Sequence, residues 1–359
     1  MFGLENKNQN EKIESYVGVD IGTSAIKVVQ VRRDRDQVHL ETYARLEMAA
    51  YNSLPPGSVT SLGEQKTIKA LHDLFSVAKI TSSNIIFGIP ISSCFISSIN
   101  MPKVSDEELK SLIPIEARKY LPIPVSEVKI NYWRTDVNPR SDNKENTVII
   151  AAVKNETLEM YERLAKELHL DNKKIFFEIE SLAGARVISR GLSQTEAFLY
   201  VDIGGSITGV SFIFEGILKG TNVIQHGSFE TTLQVSNVLG LGFDVAEQTK
   251  RLFGYFGDAS SPFLSEVIEL SSYPLFDEIS HLSLKYERMY NININKIFLA
   301  GGGSLVKGIK EFALDFLKKE IFIADSFKDL TLPENFKKAA LNLDQEYAIA
   351  TGLALKNIL

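Results

Sequence analysis

Residues 16–19 and 26–31 are apolar runs rich in β-branched side chains, and the turn between them opens Asp20-Ile21-Gly22-Thr23-Ser24. About half a chain later the pattern returns, with residues 198–201 and 208–213 around Asp202-Ile203-Gly204-Gly205-Ser206. Each copy predicts a β-hairpin whose turn carries polar residues, and the recurrence predicts two halves that open alike. Residues 296–300 form a third β run that ends in Gly301, Gly302 and Gly303. Leu305, Ile309, Phe312, Ala313 and Phe316 follow at helical spacing, so a helix is expected to begin at the glycine turn.

Between the two hairpins lies a unit of different texture. Ser105 and Glu108 are spaced as a capping box, and Leu109, Leu112, Ile113, Ala117, Tyr120 and Leu121 fall on one helical stripe. Pro122 and Pro124 are expected to stop that helix, Pro114 to kink it, and residues 128–134 to form a strand. Residues 138–146 read as a polar hairpin loop. Residues 236–294 read as loop-like sequence carrying Phe253, Phe256, Phe263, Tyr273 and Phe276, and residues 347–355 as the last helix of the second half.

A chain of 359 residues with 44% hydrophobic and 23% charged content can bury a large core and is long enough for two domains. Its net charge of −6 offers no basic field, so nucleic acid is not an expected partner. Cys94 is the only cysteine, which excludes an internal disulfide and a multi-cysteine metal cluster. Residues 1–15 are polar and lack a secretory h-region, and residues 85–101 are broken by Pro90 and several serines. The protein is therefore expected in the cytoplasm, without direct membrane insertion.

The repeated turn has the chemistry of a phosphate clamp. Gly22, Gly204 and Gly205 let a phosphate approach the backbone N–H groups, while Thr23, Ser24 and Ser206 add hydroxyls. Asp20 and Asp202, each at a strand end, are suited to a hydrated Mg²⁺. One such turn is equally an ordinary tight turn with a capping Asp; two copies at half-chain spacing favour a clasp on one triphosphate with its metal.

The order of two D-I-G-x-S hairpins, a helical segment with Glu247 and Lys250, and A-G-G-G-S resembles the actin, sugar kinase and heat-shock chaperone ATPase superfamily. The resemblance implies that Asp20 to Lys27 is the first phosphate motif, with Lys27 as its phosphate-contacting lysine, and that Asp202 to Thr208 is the second. It further implies an adenosine motif at Gly301, Gly302, Gly303 and Ser304, within a segment that runs on to Lys307. Glu247 and Lys250 would lie beside ribose and base, although their spacing also suits an exposed helical ion pair. By similarity to the L-E-P-x-A-x-A pattern of the division protein FtsA, Glu180 is the candidate that positions the attacking water, with Glu178 as fallback.

Glu116-Ala117-Arg118-Lys119-Tyr120-Leu121-Pro122-Ile123-Pro124 resembles the E-A-x-x-Y-[IL]-P-[FI]-P signature of the PilM family of type IV pilus assembly proteins. That resemblance implies an α/β, actin-like (ribonuclease H-like) fold of two halves with an FtsA/PilM-type inserted subdomain. The halves are expected at residues 16–90 with 171–195, and 196–235 with 295–359, with insertions at 91–170 and 236–294. It also implies a groove for the cytoplasmic N-terminal tail of a PilN-like membrane protein, contacts with other pilus assembly proteins, and peripheral attachment at the inner membrane through that partner. Tyr120, Leu121 and Ile123 serve either that groove or the anchoring of the inserted unit. FtsA-type chains continue into an amphipathic membrane-targeting helix, for which only residues 356–359 are left after the last predicted helix. Two functions stay open: a scaffold that holds ATP, and an FtsA-like, self-associating ATPase that polymerises.

Overall fold

The computed structural model describes residues 14–35, 37–102, 104–134, 145–168, 174–193, 195–259, 263–334, 336 and 344–358. Strands β1 (Glu14–Ile21), β2 (Ala25–Asp34) and β3 (Gln37–Glu47) form an antiparallel meander. β4 (Asn84–Ile89) and β8 (Lys174–Ile179) add in parallel, giving a five-stranded sheet of order β3-β2-β1-β4-β8. Its strands are apolar in continuous runs because both faces are covered. On one face, α1 (Glu64–Val77) and α3 (Asn155–Glu167) pack Leu71, Leu74, Tyr161 and Ala165 against Val17, Val19 and Phe87. α3 thus buries its face on this sheet, although it falls within the 91–170 segment.

The second hairpin, β9 (Phe198–Ile203) and β10 (Thr208–Phe214), sits at the centre of an eight-stranded sheet. β12 (Lys296–Ala300) and β13 (Glu320–Ile323) extend it on one side in parallel, and β11 (Ile217–Ile224) extends it on the other. Beyond β11 come β5 (Cys94–Pro102), β7 (Glu145–Lys154) and β6 (Val128–Arg134), so the inserted unit lengthens the second sheet. The junction is one paired position, Gly220 with Ser97. α2 (Asp106–Ala117) covers these outer strands through Leu109, Ile113 and Ala117.

The capping box predicted at the start of α2 is formed: Ser105 Oγ accepts from Glu108 N–H, and Glu108 returns to the Ser105 N–H. Two expectations change, and one goes untested. α2 ends at Ala117, ahead of the Pro122 and Pro124 stop, and leaves Tyr120 exposed. The expected 138–146 loop lies outside the described residues from 138 to 144. Residues 236–294 are largely helical rather than loop-like, with α6 (Phe243–Phe253) and the 27-residue α7 (Leu264–Tyr290) following α5 (Ser228–Leu239). The physical reason is an apolar stripe on α7, Leu264, Ile268, Leu275, Phe276, Ile279, Leu282 and Tyr286, which faces the second sheet and α6 despite Pro274 inside the helix.

The terminal helix α9 (Ala348–Ala354) differs most from its expected place. It belongs by packing to the first sheet, not the second half: Ala350, Leu353 and Ala354 join Tyr16, Val29 and Ile86 in one core. Small residues make this possible. A Cβ on Gly18 would stand 1.9 Å from the Ala350 carbonyl oxygen, and one on Gly352 would stand 1.9 Å from that of Ala183 in α4 (Glu180–Ser189). Backbones at that separation lock α9 against β1 and α4, at the seam where the two halves meet.

Candidate functional site

The two hairpin turns face each other across a cleft of about 200 Å³ between the halves. Asp20, Gly22, Thr23, Ser24 and Lys27 line it from the first half; Asp202, Gly204 and Gly205 line it from the second. The turns even touch, since Ser206 Oγ lies 3.0 Å from Thr23 Oγ1. The seven-residue spacing of Asp20 and Lys27 has a simple cause: the β1–β2 register sets them directly opposite. Their side chains meet at 3.0 Å. Gly22 and Gly204 spend their own N–H groups on the turns, donating to Ala25 and Ile207 carbonyls at 3.1 and 3.0 Å.

Glu180, first residue of α4, enters the same cleft and accepts a hydrogen bond from the Ile91 N–H at 3.2 Å. Burial, then the charges of Asp20 and Asp202, hold its carboxyl well above the usual carboxylate range. Asp202 is pushed up to about 6 by burial, with Lys27 opposing and Asp20 adding to the rise. Burial pulls Lys27 down, but Asp20, Asp202 and Glu346 more than offset it and raise it overall. The cleft is therefore short of positive charge. Glu178, the alternative to Glu180, is committed elsewhere, in a two-pronged pair with Arg186 at 2.7 Å for each bond.

The glycine-rich loop contributes less than its composition suggests. Gly301 and Gly302 line the cleft, and Gly301, at φ 82°, lies so near Asp202 that a Cβ would be 2.5 Å from Oδ1. Gly303 packs on Ile203, and Ser304 is buried with Oγ donating to the Gly301 carbonyl at 2.7 Å. The helix expected at this turn, α8 (Ile309–Leu317), starts only after Gly308, whose φ of 79° breaks the chain direction; Gly302–Leu305 is a 3₁₀ turn. Lys307 is exposed and away from the cleft, while its carbonyl accepts from Tyr255 N–H at 2.8 Å.

Glu247 reaches the cleft, but Lys250 stands behind it. Lys250 is 2% exposed and donates to Ser228 O, Thr232 Oγ1 and Glu247. Burial raises Glu247, yet Lys250, Thr232 and Arg251 overcome this and hold it down at about 2. Thr208 is fully buried and ties β10 to the His226 carbonyl at 2.8 Å. The sequence reading missed Arg45, Gly57, Ile91 and Glu346, which all line the cleft. Gly57, at φ 84°, lies against Glu247, where a Cβ would approach Cγ to 2.7 Å. That contact carries the loop before α1 from the first half onto the second.

A family model described as type IV pilus assembly protein PilM matches residues 18–358. The chain belongs to the PilM family. Among solved structures, a PilM–PilN type IV pilus biogenesis complex is similar with a TM-score of 0.81 at 20% identity, covering 96% of this chain and 98% of that one. The ethanolamine utilization protein EutJ from Carboxydothermus hydrogenoformans matches at TM-score 0.54 and 16% identity, over 95% and 89% of the two chains. MreB5 of Spiroplasma citri bound to AMPPNP matches at 0.52 and 14%, over 96% and 97%. The architecture is the actin-like α/β fold, in its PilM form, and the family's role is type IV pilus assembly. No helix among the described residues is long and apolar enough to cross a membrane.

Proposed function

We propose that this PilM-family chain holds ATP with a hydrated Mg²⁺ in the cleft and, in that state, binds the cytoplasmic tail of a PilN-like membrane protein. The observation that carries the nucleotide reading is the meeting of Asp20, Lys27, Glu180 and Asp202, drawn from both halves, in one cleft. The residues fit the ion on electrostatic grounds: carboxylates with proton affinities raised by burial and mutual repulsion gain from a cation. No group of three or more His, Cys, Asp or Glu among the described residues is arranged to hold a bare metal. That suits an ion that keeps its waters and is held through phosphates. Mg²⁺ there would neutralise phosphate charge. With Gly22 and Gly204 N–H groups used in the turns, Thr23, Ser24 and Gly205 line the cleft to receive phosphate oxygens, while the Ser206 hydroxyl is already on Thr23. Likeness to a nucleotide-bound MreB5 supports the same reading.

The partner reading rests on the unit that lengthens the second sheet. Ile115 and Tyr120 are 55% and 45% exposed there, next to the E-A-x-x-Y-L-P-I-P segment. Exposed apolar side chains beside an irregular, proline-rich stretch suit an extended peptide. The similar complex contains PilN, and attachment to the inner membrane would follow from that contact. A synthetic PilN-type tail peptide is expected to bind the ATP-loaded chain. Tyr120→Asp should cost about a hundredfold or more, because burying an unpaired charge costs several kcal/mol. Titration calorimetry with and without nucleotide decides it; full peptide affinity in Tyr120→Asp and Ile115→Asp would place the groove elsewhere.

A further inference from the structure

The cleft contains a cation that the phosphate-clamp reading does not use. Arg45 on β3 is directly opposite Lys27 on β2, which is directly opposite Asp20 on β1. Directly opposed residues share a sheet face, so the three side chains form one row across the strand ends, and all three line the cleft. Lys27 is already paired with Asp20 at 3.0 Å. Arg45 is shared between two carboxylates. Its Nη1 donates to Glu47 at 2.8 Å, while its Nε lies 3.2 Å from Glu346 Oε2 without an aligned hydrogen bond. That Nε is buried, so its N–H is a donor waiting for an acceptor. Glu346 is itself only 5% exposed and stands on the cleft wall, its Oε2 4.0 Å from where a Cβ on Gly302 would be. An anion entering the cleft meets this carboxylate.

We propose that Arg45 is a phosphate ligand of the cleft, parked on Glu346 until a polyphosphate draws it away, and that Glu346 sets nucleotide affinity as the competing anion. The proposal rests on the nucleotide reading above and adds two residues to it. A guanidinium is suited to the task because its planar fork matches phosphate oxygens in pairs, which an ammonium cannot do. The competition has a direction: removing Arg45 should weaken phosphate-bearing ligands alone, whereas neutralising Glu346 should strengthen them.

Calorimetric titration of Mg-ATP, Mg-ADP and adenosine separates these effects. Arg45→Ala is expected to lose about tenfold or more for ATP, the loss of one charged hydrogen bond, with adenosine unchanged. Glu346→Gln is expected to gain several-fold for ATP and nothing for adenosine, and Arg45→Lys to fall between Arg45→Ala and wild type. Since Arg45→Ala leaves buried Glu346 without its ion-pair partner, the uncharged pair Arg45→Gln/Glu346→Gln guards against misfolding and should show an ATP affinity below that of Glu346→Gln alone. Wild-type ATP affinity in Arg45→Ala, or an equal loss for adenosine, overturns the assignment. If the wild type binds neither ATP nor adenosine, the nucleotide reading itself falls.

Discussion

Asp202→Asn should make the nucleotide-free protein more stable and a poorer ligand for Mg-ATP at the same time. In the folded chain burial lifts Asp202 from 3.8 to about 6. A carboxyl with a raised folded pKa contributes stability while it is protonated, below its unfolded pKa, and loses that contribution as pH climbs through the folded value. Ionised Asp202 therefore costs the empty fold roughly 1–3 kcal/mol above pH 6, discounted because the side chain opens onto the cleft. Asn keeps the shape and removes the charge. Melting curves of variant and wild type should coincide near pH 4 and separate between pH 4 and 6, with the variant a few degrees higher at pH 7 to 8. Mg-ATP affinity should drop about 10- to 100-fold, the cost of removing a group that holds a metal through its waters, while metal-free ATP changes little. Equal loss with and without Mg²⁺ would show that Asp202 does not serve the ion. In the wild type, protons should compete with Mg-ATP below pH 6 for the same reason.

The sequence makes this trade legible at the hairpins and hides it elsewhere. Asp20 and Lys27 are close in the chain, and the hairpin register that opposes them follows from apolar runs flanking a glycine turn. Asp202 repeats the pattern, so both hairpin turns that line the cleft are visible in the sequence. Arg45 was within reach of the same logic: carrying the register across one more antiparallel strand places it beside Lys27. Glu346 and Gly57 have no such local signal. Glu346 reaches the cleft because the chain returns from the second half to seat α9 on β1, an arrangement fixed by close backbone contacts at Gly18 and Gly352.

Two failures of the sequence reading have local causes. Gly-Gly-Gly followed by helical spacing looks like a helix beginning on a phosphate, but the positive φ at Gly308 delays α8 and buries Gly303 and Ser304 against Ile203 and Gly301. Counting the period from Ile309 rather than Leu305 would have found the start. In residues 236–294, aromatic residues and Pro274 mask a helical stripe that only becomes evident when Leu275, Ile279, Leu282 and Tyr286 are read together against the second sheet. Lys250 shows the opposite case: an E-x-x-K pair that spacing alone makes a surface feature is instead almost fully buried, holding Glu247 at the cleft.

Glu180→Gln should separate binding from turnover. The residue accepts a hydrogen bond from the Ile91 N–H, and its place near Asp20 and Asp202 at the start of α4 suits a carboxylate that acts on water. Its raised proton affinity makes it a stronger base than a surface Glu, and a bound cation would restore the ionised form that accepts a proton. Gln fills the same volume, since Gly88 already leaves room for the Glu180 Cγ, where a Cβ would approach to 3.2 Å. It also mimics the protonated acid, so apo stabilities should coincide near pH 4 and diverge, variant higher, as pH rises above the ordinary carboxylate range, the gap levelling off only once the buried Glu180 ionises in the folded chain. ATP affinity should stay within about twofold, and steady-state phosphate release should drop about a hundredfold, the lower range of a lost general base. Unchanged release in the variant would reduce Glu180 to a helix-start acid. Absence of release from the wild type, with ATP bound and the tail peptide present, would establish a scaffold that responds to nucleotide occupancy rather than to its hydrolysis.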